Sequence, residues 1–470
     1  MVFSKHPRAL STLFFAEMWE RFSFYGMKAL LVLYLTLDLR LGREEALSLY
    51  GAYLGLVYLT PLLGGWLADR WLGAANATLA GGALIALGHF TLAHPQGLYL
   101  ALGFLIAGEG LFKPSVTALL GNLYPEGDAR RETGFTIFYM GINIGAFLAP
   151  LVCGGIAAWL GWHAGFAVAG IGMALGLAVF VQGMSRQGER LDMGKAAWAA
   201  GAGAGAVLFL FALFRAWQKG PLVAAFLAAF MIAALIYFLR PHLTFAASGL
   251  IAEKKPEKKP LAPQEKDRLW VLAALMLANF WYWLCAEQGA GTMTLFAQEK
   301  VSRVIFGKEF PASFFQSVNP LCIIVLAPLL SGVWSRMPRF SAIHKQAAGL
   351  WLLALGFVLM EALARLASLG PVPAGSLFLV YVVITIGEVV LYPVGLAAVG
   401  RLAPSANQGL ALGAWFLATA AAGYGAGIAE PLLQESPFPL YGFLAAVAAI
   451  LGALLWLFSA RLVKKAHGVI

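Results

Sequence analysis

Long apolar stretches alternate with short polar segments along most of this chain. Each stretch has about the 20 mostly apolar residues that a helix needs to cross the hydrocarbon core of a bilayer. The pattern predicts fourteen membrane-spanning helices, arranged as six, two and six. The first block falls at 12–37, 47–69, 75–93, 98–120, 132–160 and 163–183, the middle pair at 196–214 and 221–239, and the last block at 268–297, 311–335, 342–366, 374–400, 408–430 and 438–462.

The composition supports the same class of protein. Of 470 residues, 60% are hydrophobic and 12% are charged, whereas soluble domains have about 45–50% apolar and about 25% charged residues. This balance excludes a soluble globular protein, and it also excludes a disordered chain, which would be poor in apolar residues. Cys153, Cys285 and Cys322 lie inside apolar runs without ligand-like spacing, and the seven histidines form no metal-like cluster. We therefore predict no disulfide framework, no metal site and no cofactor.

The basic residues predict the orientation of the chain in the membrane. If the N-terminus is cytoplasmic, twenty-two of the 33 lysines and arginines fall in cytoplasmic loops, eight in outside loops and three within spans. Because cytoplasmic loops are enriched in Lys and Arg, we predict a multi-pass protein of the inner (plasma) membrane with both termini in the cytoplasm. The net charge of +10 then needs no nucleic-acid partner, and the expected surroundings are the lipid bilayer.

A repeated segment indicates two related halves. The segment 61–66 (PLLGGW) closes the second helix of the first block, and 328–334 (PLLSGVW) closes the second helix of the last block. The offset of 267 residues between them also relates Glu20 to Glu287. Parallel repeats of this kind are typical of transporters that bind substrate between two six-helix halves. The predicted domains are an N-terminal six-helix bundle (1–185), a two-helix insertion with a charged linker (186–267) and a C-terminal six-helix bundle (268–470).

Eight charged side chains fall within the predicted spans. At the centre of a spanning helix each costs roughly 2.5–3.5 kcal/mol, so these groups should face one another or a wet cavity. They are Glu17, Glu20, Arg21, Lys28, Glu109, Lys113, Glu287 and Glu388. At helical spacing, the four charges of the first span share one face with Tyr25. A seam of ion pairs without a transport role would also fit, but dense charge inside a membrane is more typical of a substrate or proton path.

The number of buried charges has a consequence for mechanism. Three cations can neutralise at most three of the five carboxylates, and a desolvated carboxylate without a partner takes up a proton. A cavity with surplus carboxylates is therefore suited to proton coupling. Glu109 has an alternative, because it could pair with Lys113 one helical turn away or face water. Asn143 and Asn319 could bind a ligand or hydrogen-bond neighbouring helices.

Three ordered segments carry a resemblance to a known family. Residues 17–26 (EMWERFSFYG) resemble the E-x-x-E-R-F-x-Y-Y-G motif of the proton-dependent oligopeptide transporters (POT/PTR), within the major facilitator superfamily. Residues 64–73 (GGWLADRWLG) and 135–147 look like two further signatures of that family. The resemblance implies an all-α integral membrane protein with the major facilitator fold, built from two six-helix bundles and two extra inter-bundle helices as in bacterial members.

The resemblance also implies an activity, which is symport of di- and tripeptides with protons by alternating access. The alternative is a related proton-coupled symporter for another small solute such as nitrate. A membrane-embedded enzyme is a third reading, but the sequence shows no phosphate-binding loop and no Ser-His-Asp grouping. We therefore predict that the protein is not an enzyme.

The family pattern assigns roles to particular side chains. Arg21 and Lys113 would attract the peptide carboxylate, and Asn143, Asn319 and Glu388 would hold the amino terminus. Tyr25, Tyr58, Trp283 and Trp415 would line side-chain pockets. Glu17, Glu20 and Arg21 would couple protons, and Lys28 with Glu287 would form a gating ion pair across the halves. The chain departs from the family pattern at Phe24, Lys28, Glu109, Ser115 and Tyr392.

Overall fold

The computed structural model describes residues 5–125, 127–189, 191–219, 262–305, 307–335, 341–404, 408–434 and 436–469. The predicted helix at 221–239 lies outside these residues, and so does the part of the charged linker before residue 262. The predicted division into three domains stays a prediction.

Seven long helices form the chain up to Lys219. They are α1 (Ala9–Leu33), α2 (Arg43–Leu67), α3 (Ala74–Leu92), α4 (Leu98–Asn122), α5 (Arg130–Leu160), α6 (Trp162–Arg186) and α7 (Met193–Lys219). Helix α1 continues into a wider π-helical turn, Tyr34–Asp38, and α2 into another, Ala68–Leu72.

The remaining described helices follow from Pro263 onward. They are α8 (Pro263–Ala286), α9 (Thr292–Lys300), α10 (Val318–Ser335), α11 (Ala342–Leu366), α12 (Ala374–Leu402), α13 (Gln408–Leu433), α14 (Leu440–Leu457) and α15 (Ser459–Lys465). Two short two-stranded sheets join loops in this part of the chain. Strand β1 (Val301–Ser302) is parallel to β4 (Val372–Pro373), and β2 (Val304–Ile305) is antiparallel to β3 (Lys308–Glu309).

The prediction of an all-helical membrane protein is confirmed. In the described part of the chain, eleven helical segments are long and apolar enough to cross a membrane. Helix α1 also has the length, at 25 residues, but carries four charged side chains. Thirteen of the fourteen predicted spans coincide with helices, and the other one is the span at 221–239.

Two predicted spans are interrupted in the structure. The span predicted at 268–297 ends as an α-helix at Ala286, passes through a 3₁₀ turn at Glu287–Gly289, and resumes at Thr292. Gly289 and Gly291 lie in this break, where the low helix propensity of glycine favours a change of direction. The span predicted at 311–335 begins with a 3₁₀ segment, Ala312–Ser317, and Pro320 lies in the first turn of the α-helix that follows, where a proline is well tolerated.

The two halves come close together where α2 meets α13. Gly51 of α2 faces Gly427 of α13, and a Cβ atom added at Gly51 would lie only 2.8 Å from the Gly427 Cα. Small residues let helix backbones come this near in a membrane protein. The contact brings α2 against the C-terminal half, and Tyr58 of α2 lines the cavity between the halves.

Candidate functional site

A cavity of about 240 Å³ lies between the two halves. Helices α1, α2, α4 and α5 contribute residues on one side, and α8, α10, α12 and α13 contribute them on the other. Eleven of the thirteen predicted site residues line it: Glu17, Arg21, Tyr25, Lys28, Tyr58, Lys113, Asn143, Trp283, Glu287, Asn319 and Glu388.

Helix α1 presents its charged face to this cavity. Glu17, Arg21, Tyr25 and Lys28 all line the cavity, as expected from their helical spacing. Phe15, on the opposite face, is 42% exposed on the outside of the molecule. The prediction that one face of the first helix carries the charges is confirmed for Glu17, Arg21 and Lys28, whereas Glu20 lies behind the cavity surface.

Arg21 is the centre of a buried ion-pair cluster. Its Nη2 atom lies 2.7 Å from Glu20 Oε1, and its Nε atom also contacts the second carboxylate oxygen of Glu20. The same Nη2 atom lies 3.0 Å from Glu109 Oε2, and Nε lies 3.2 Å from Glu17 Oε1. All four side chains are at most 5% exposed. One guanidinium is therefore shared by three carboxylates.

The structure decides between the alternatives for Glu109. Its carboxylate binds Arg21, and no ion pair between Glu109 and Lys113 is present in the described part of the chain. The reason is the direction of the two side chains. The Lys113 Nζ atom lies 4.7 Å from the ring centroid of Tyr58, toward the cavity, while Glu109 reaches α1. A cation over the face of an aromatic ring is attracted by the ring electrons.

A second ion pair joins the two halves. Lys28 Nζ lies 2.6 Å from Glu287 Oε2, and the hydroxyl groups of Tyr50 and Tyr58 donate to the same carboxylate at 3.1 and 3.4 Å. Lys28 belongs to α1, whereas Glu287 belongs to the 3₁₀ turn after α8. The pair predicted from the family pattern thus forms, and its gating role stays a prediction.

Glu388 has a hydrogen-bond partner, Asn319, but no cation beside it among the described residues. Asn319 Nδ2 donates to Glu388 Oε2 at 2.6 Å and also contacts Thr385 Oγ1 at 3.1 Å. Among the described residues, no basic side chain lies within 4 Å of the Glu388 carboxylate, and no carboxylate lies within 4 Å of the Lys113 ammonium. An anion from one half and a cation from the other therefore line one cavity without an ionic partner.

Aromatic rings form a wall between these two charges. The ring centroids of Tyr58 and Trp283 are 6.4 Å apart, and Tyr392 meets Trp283 edge-on at 5.4 Å. The indole N–H of Trp283 is buried and has no hydrogen-bond partner in the described chain. A buried donor in this position can serve a ligand carbonyl, because leaving such a group unpaired is costly.

Two predicted residues lie away from the cavity surface. Glu20 is fully buried behind it, in the Arg21 cluster. Trp415 is also fully buried and does not line the cavity, whereas its neighbour Phe416 does. The Trp415 indole packs against Gly395, where an added Cβ would lie 2.8 Å from the ring. The absence of a side chain at Gly395 therefore gives this indole its place between α12 and α13.

Several lining residues are not among the predicted site residues. They are uncharged side chains whose presence in an apolar span costs little: Tyr139, Tyr282, Gln316, Tyr381, Thr385, Phe416 and Thr419. Gln316, which lines the cavity, donates through Nε2 to Thr294 Oγ1 at 2.9 Å. None of the described residues form a His, Cys, Asp and Glu cluster suited to a metal ion.

A charged cavity between two halves of a multi-pass helical protein defines the class of a membrane transporter. The family model of the POT family matches residues 75–444. The uncharacterized transporter YclF of Bacillus subtilis is 35% identical over 100% of this chain and 96% of its own length. The peptide transporter YePEPT of Yersinia enterocolitica is 35% identical over 91% of this chain and 88% of its own length. A di-/tripeptide transporter of Lactococcus lactis is 34% identical over 88% of this chain and 87% of its own length.

Solved structures agree with this assignment. A mutant of the peptide transporter POT in complex with sulfate superposes with a TM-score of 0.82, at 33% identity and over 98% of this chain and 96% of that one. A POT family transporter in complex with 5-aminolevulinic acid superposes with a TM-score of 0.81, at 29% identity and over 98% of each chain. The chain belongs to the POT family, has the major facilitator fold, and is a transporter, not an enzyme.

Proposed function

We propose that this protein is a proton-coupled symporter that imports di- and tripeptides by alternating access. One observation supports this most strongly. Lys113 and Glu388 line the same cavity from opposite halves, and neither has an ionic partner within 4 Å among the described residues. A peptide is a zwitterion, so its carboxylate and ammonium groups would complement both charges at once.

Lys113 and Glu388 are partly buried, and the energetics of such charges favour a ligand with two opposite ends. A charge removed from water is costly unless a partner compensates it. The carboxylate of a peptide would lie at Lys113 and Arg21, and its ammonium group at Glu388, with Asn319 and Asn143 alongside. Nitrate would neutralise Lys113 but leave Glu388 without a cation, so the cavity favours a peptide over that alternative.

The aromatic wall suits the middle of such a ligand. Tyr58 and Trp283 offer ring faces to peptide side chains, and the unpartnered Trp283 N–H can donate to a peptide carbonyl. Tyr25 lines the α1 side of the cavity. The names of the relatives from Yersinia and Lactococcus support peptides as substrates.

Proton coupling would reside in the Arg21 cluster. Glu17 and Glu20 share the guanidinium of Arg21, and a peptide carboxylate that draws Arg21 toward the cavity would leave these acids without their cation. They would then take up protons. The same occupancy would weaken the Lys28–Glu287 pair, so that peptide and protons together shift the balance between conformations.

The excess of Lys and Arg in one set of loops supports an orientation with both termini in the cytoplasm. The protein would lie in the inner (plasma) membrane, with lipid around its outer helical faces. Imported peptide would leave on the cytoplasmic side.

Uptake into proteoliposomes tests the proposal. Vesicles that contain the protein should accumulate radiolabelled dialanine above the external concentration when the outside is acidic, and a protonophore should abolish the accumulation. Unlabelled tripeptide should compete and nitrate should not. Failure to accumulate any of a range of dipeptides under the gradient would contradict the proposed function.

A further inference from the structure

A second cavity, of about 310 Å³, lies at the interface between the two halves. Helices α1, α5 and α6 line it on one side, and the chain from the end of α9 to the 3₁₀ segment before α10 lines it on the other. Among the described residues, it shares none with the charged cavity. The peptide site proposed above therefore leaves the second cavity without a role.

The second cavity lies where spanning helices end. Helix α5 ends at Leu160 and α6 begins at Trp162, and the cavity extends back along α5 to Gly154. Six residues of α-helix measure about 9 Å, so the cavity reaches from the end of the span into its apolar part. Trp162 lines it and Trp159 beside it is exposed, and tryptophan is enriched at membrane–water interfaces. The cavity therefore lies at the level of lipid head groups and the first part of their chains.

The lining of the second cavity changes from polar to apolar with depth. Arg303 and Glu309 follow the spanning segment that ends at Lys300, whereas Leu30 and Ala157 lie within spanning helices. Leu37, at the rim, is largely exposed on the outside of the molecule. A ligand that matches this lining has a polar head and an apolar tail, as a membrane lipid has.

Two polar groups in the wall of the second cavity lack partners. Arg303 is only 8% exposed; its Nη2 atom lies 2.7 Å from Glu309 Oε1, and its Nη1 atom donates to the carbonyl oxygen of Phe310 at 2.9 Å. Its Nε atom and the buried hydroxyl of Ser313 have no hydrogen-bond partner in the described chain. Because an unpaired buried donor is costly, a ligand that brings an acceptor to Arg303 and Ser313 would be stabilised here.

The charged side chains that line the second cavity balance each other. Arg303 pairs with Glu309, whose side chain is 64% exposed. An anionic head group would be repelled by the Glu309 carboxylate. A head group with both a phosphate and a primary ammonium would complement both residues, since guanidinium groups form strong charge-assisted hydrogen bonds with phosphate.

We propose that the second cavity binds one phospholipid with a zwitterionic head group, of the phosphatidylethanolamine class. The phosphate accepts hydrogen bonds from Arg303 and Ser313, the ammonium lies at Glu309, and the acyl chains pack against Leu30 and Ala157 before they enter the bilayer. Because both halves line the cavity, the lipid bridges them and stabilises their contact at this end of the molecule. The lipid site does not depend on which solute the protein transports.

The melting temperature of the delipidated protein in detergent measures lipid binding, because a ligand of the folded state raises it with concentration. Phosphatidylethanolamine should act at about tenfold lower concentration than phosphatidylglycerol, the effect of one charged hydrogen bond. Glycerophosphoethanolamine, the same head group without acyl chains, should have no effect at these concentrations. Equal potency of the two lipids, or of the soluble head group and the lipid, would overturn the inference.

A variant that fills the second cavity tests its location. Ala158 lines the cavity from an exposed position of α5, and Ala158→Trp should abolish the preference for phosphatidylethanolamine. Val152→Trp places the same side chain at another exposed position of α5, outside the cavity, and should keep the wild-type preference. The same preference in Ala158→Trp as in Val152→Trp would mean that the lipid binds elsewhere.

Two further variants test how the head group is recognised. Glu309→Gln should reduce the preference for phosphatidylethanolamine over phosphatidylglycerol to less than about twofold, whereas Arg303→Gln should weaken both lipids about tenfold. If Arg303→Gln does not fold, Glu309→Gln decides alone, and an unchanged preference in that variant overturns the inference. Loss of the lipid effect would leave uptake of dialanine as the separate test of the proposed function.

Discussion

The Lys113 ammonium and the Glu388 carboxylate line one cavity from opposite halves of the protein, and neither has an opposite charge within 4 Å among the described residues. The other two cations that line this cavity have carboxylate partners, Arg21 in its cluster and Lys28 at Glu287. These two unmatched charges lie where a zwitterion can bind.

Lys113→Gln should weaken binding of dialanine. A hydrogen bond to a charged group is worth about 1.5–3 kcal/mol, or roughly 10- to 150-fold in affinity. Titration calorimetry of the detergent-purified protein measures the effect. Lys195→Gln, an exposed position of α7, is the matched control and should bind as wild type does. Equal affinity in Lys113→Gln and the control would remove Lys113 from the site.

Glu20→Gln should separate accumulation from exchange. The variant loses one of the acids that Arg21 holds, so a proton gradient should no longer drive accumulation of dialanine. Exchange of labelled for unlabelled peptide at equal pH should survive, because the cavity lining is intact. Both fluxes are measured in the same proteoliposomes. Full gradient-driven accumulation in this variant would show that Glu20 has no coupling role.

The Lys28–Glu287 pair should show strong coupling in stability. Both side chains are at most 9% exposed, and removing one partner of a buried pair costs about 3–5 kcal/mol. Glu287→Gln should therefore lower the melting temperature clearly, and the double variant Lys28→Gln/Glu287→Gln should melt above it. A double variant whose loss of stability equals the sum of the losses in Lys28→Gln and in Glu287→Gln would argue against a direct interaction.

Tyr392→Ser should widen the range of peptides. The Tyr392 ring stands edge-on to Trp283 in the cavity wall near Glu388, and the cavity of about 240 Å³ is smaller than most small-molecule sites, which are about 300–1,000 Å³. An added residue lengthens a peptide by about 3.3–3.6 Å. Uptake of trialanine relative to dialanine should rise, whereas Tyr392→Phe should keep the wild-type ratio. No change in Tyr392→Ser would mean that this ring does not limit size.

The charged part of the site could be predicted from the sequence because charge inside a membrane is costly. Glu17, Arg21 and Lys28 recur at helical spacing in an apolar span, so a single face had to be polar, and the structure places that face on the cavity. The sequence predicts one span at 268–297 and misses the interruption at Glu287–Gly289, because a stretch of about 20 mostly apolar residues tolerates a few polar ones.

The partner of Glu109 and the position of Trp415 depended on packing. Spacing within α4 allowed a pair with Lys113, but the approach of α4 to α1 brings Arg21 nearer. Trp415 and Phe416 are neighbours in the sequence, so their side chains point about 100° apart around the helix. The space beside Gly395 accommodates the Trp415 indole, and Phe416 is the one that lines the cavity. Neither contact has a signature in one sequence.

The most direct test of the central claim asks whether the peptide ammonium lies at Glu388. Affinity is measured for dialanine and for N-acetyl-dialanine, which lacks the ammonium charge, in wild type and in Glu388→Gln. We expect acetylation to weaken binding to wild type at least tenfold, about the 1.4 kcal/mol of one charged contact, and to change binding to Glu388→Gln by less than about twofold. An equal loss on acetylation in both proteins would contradict the account.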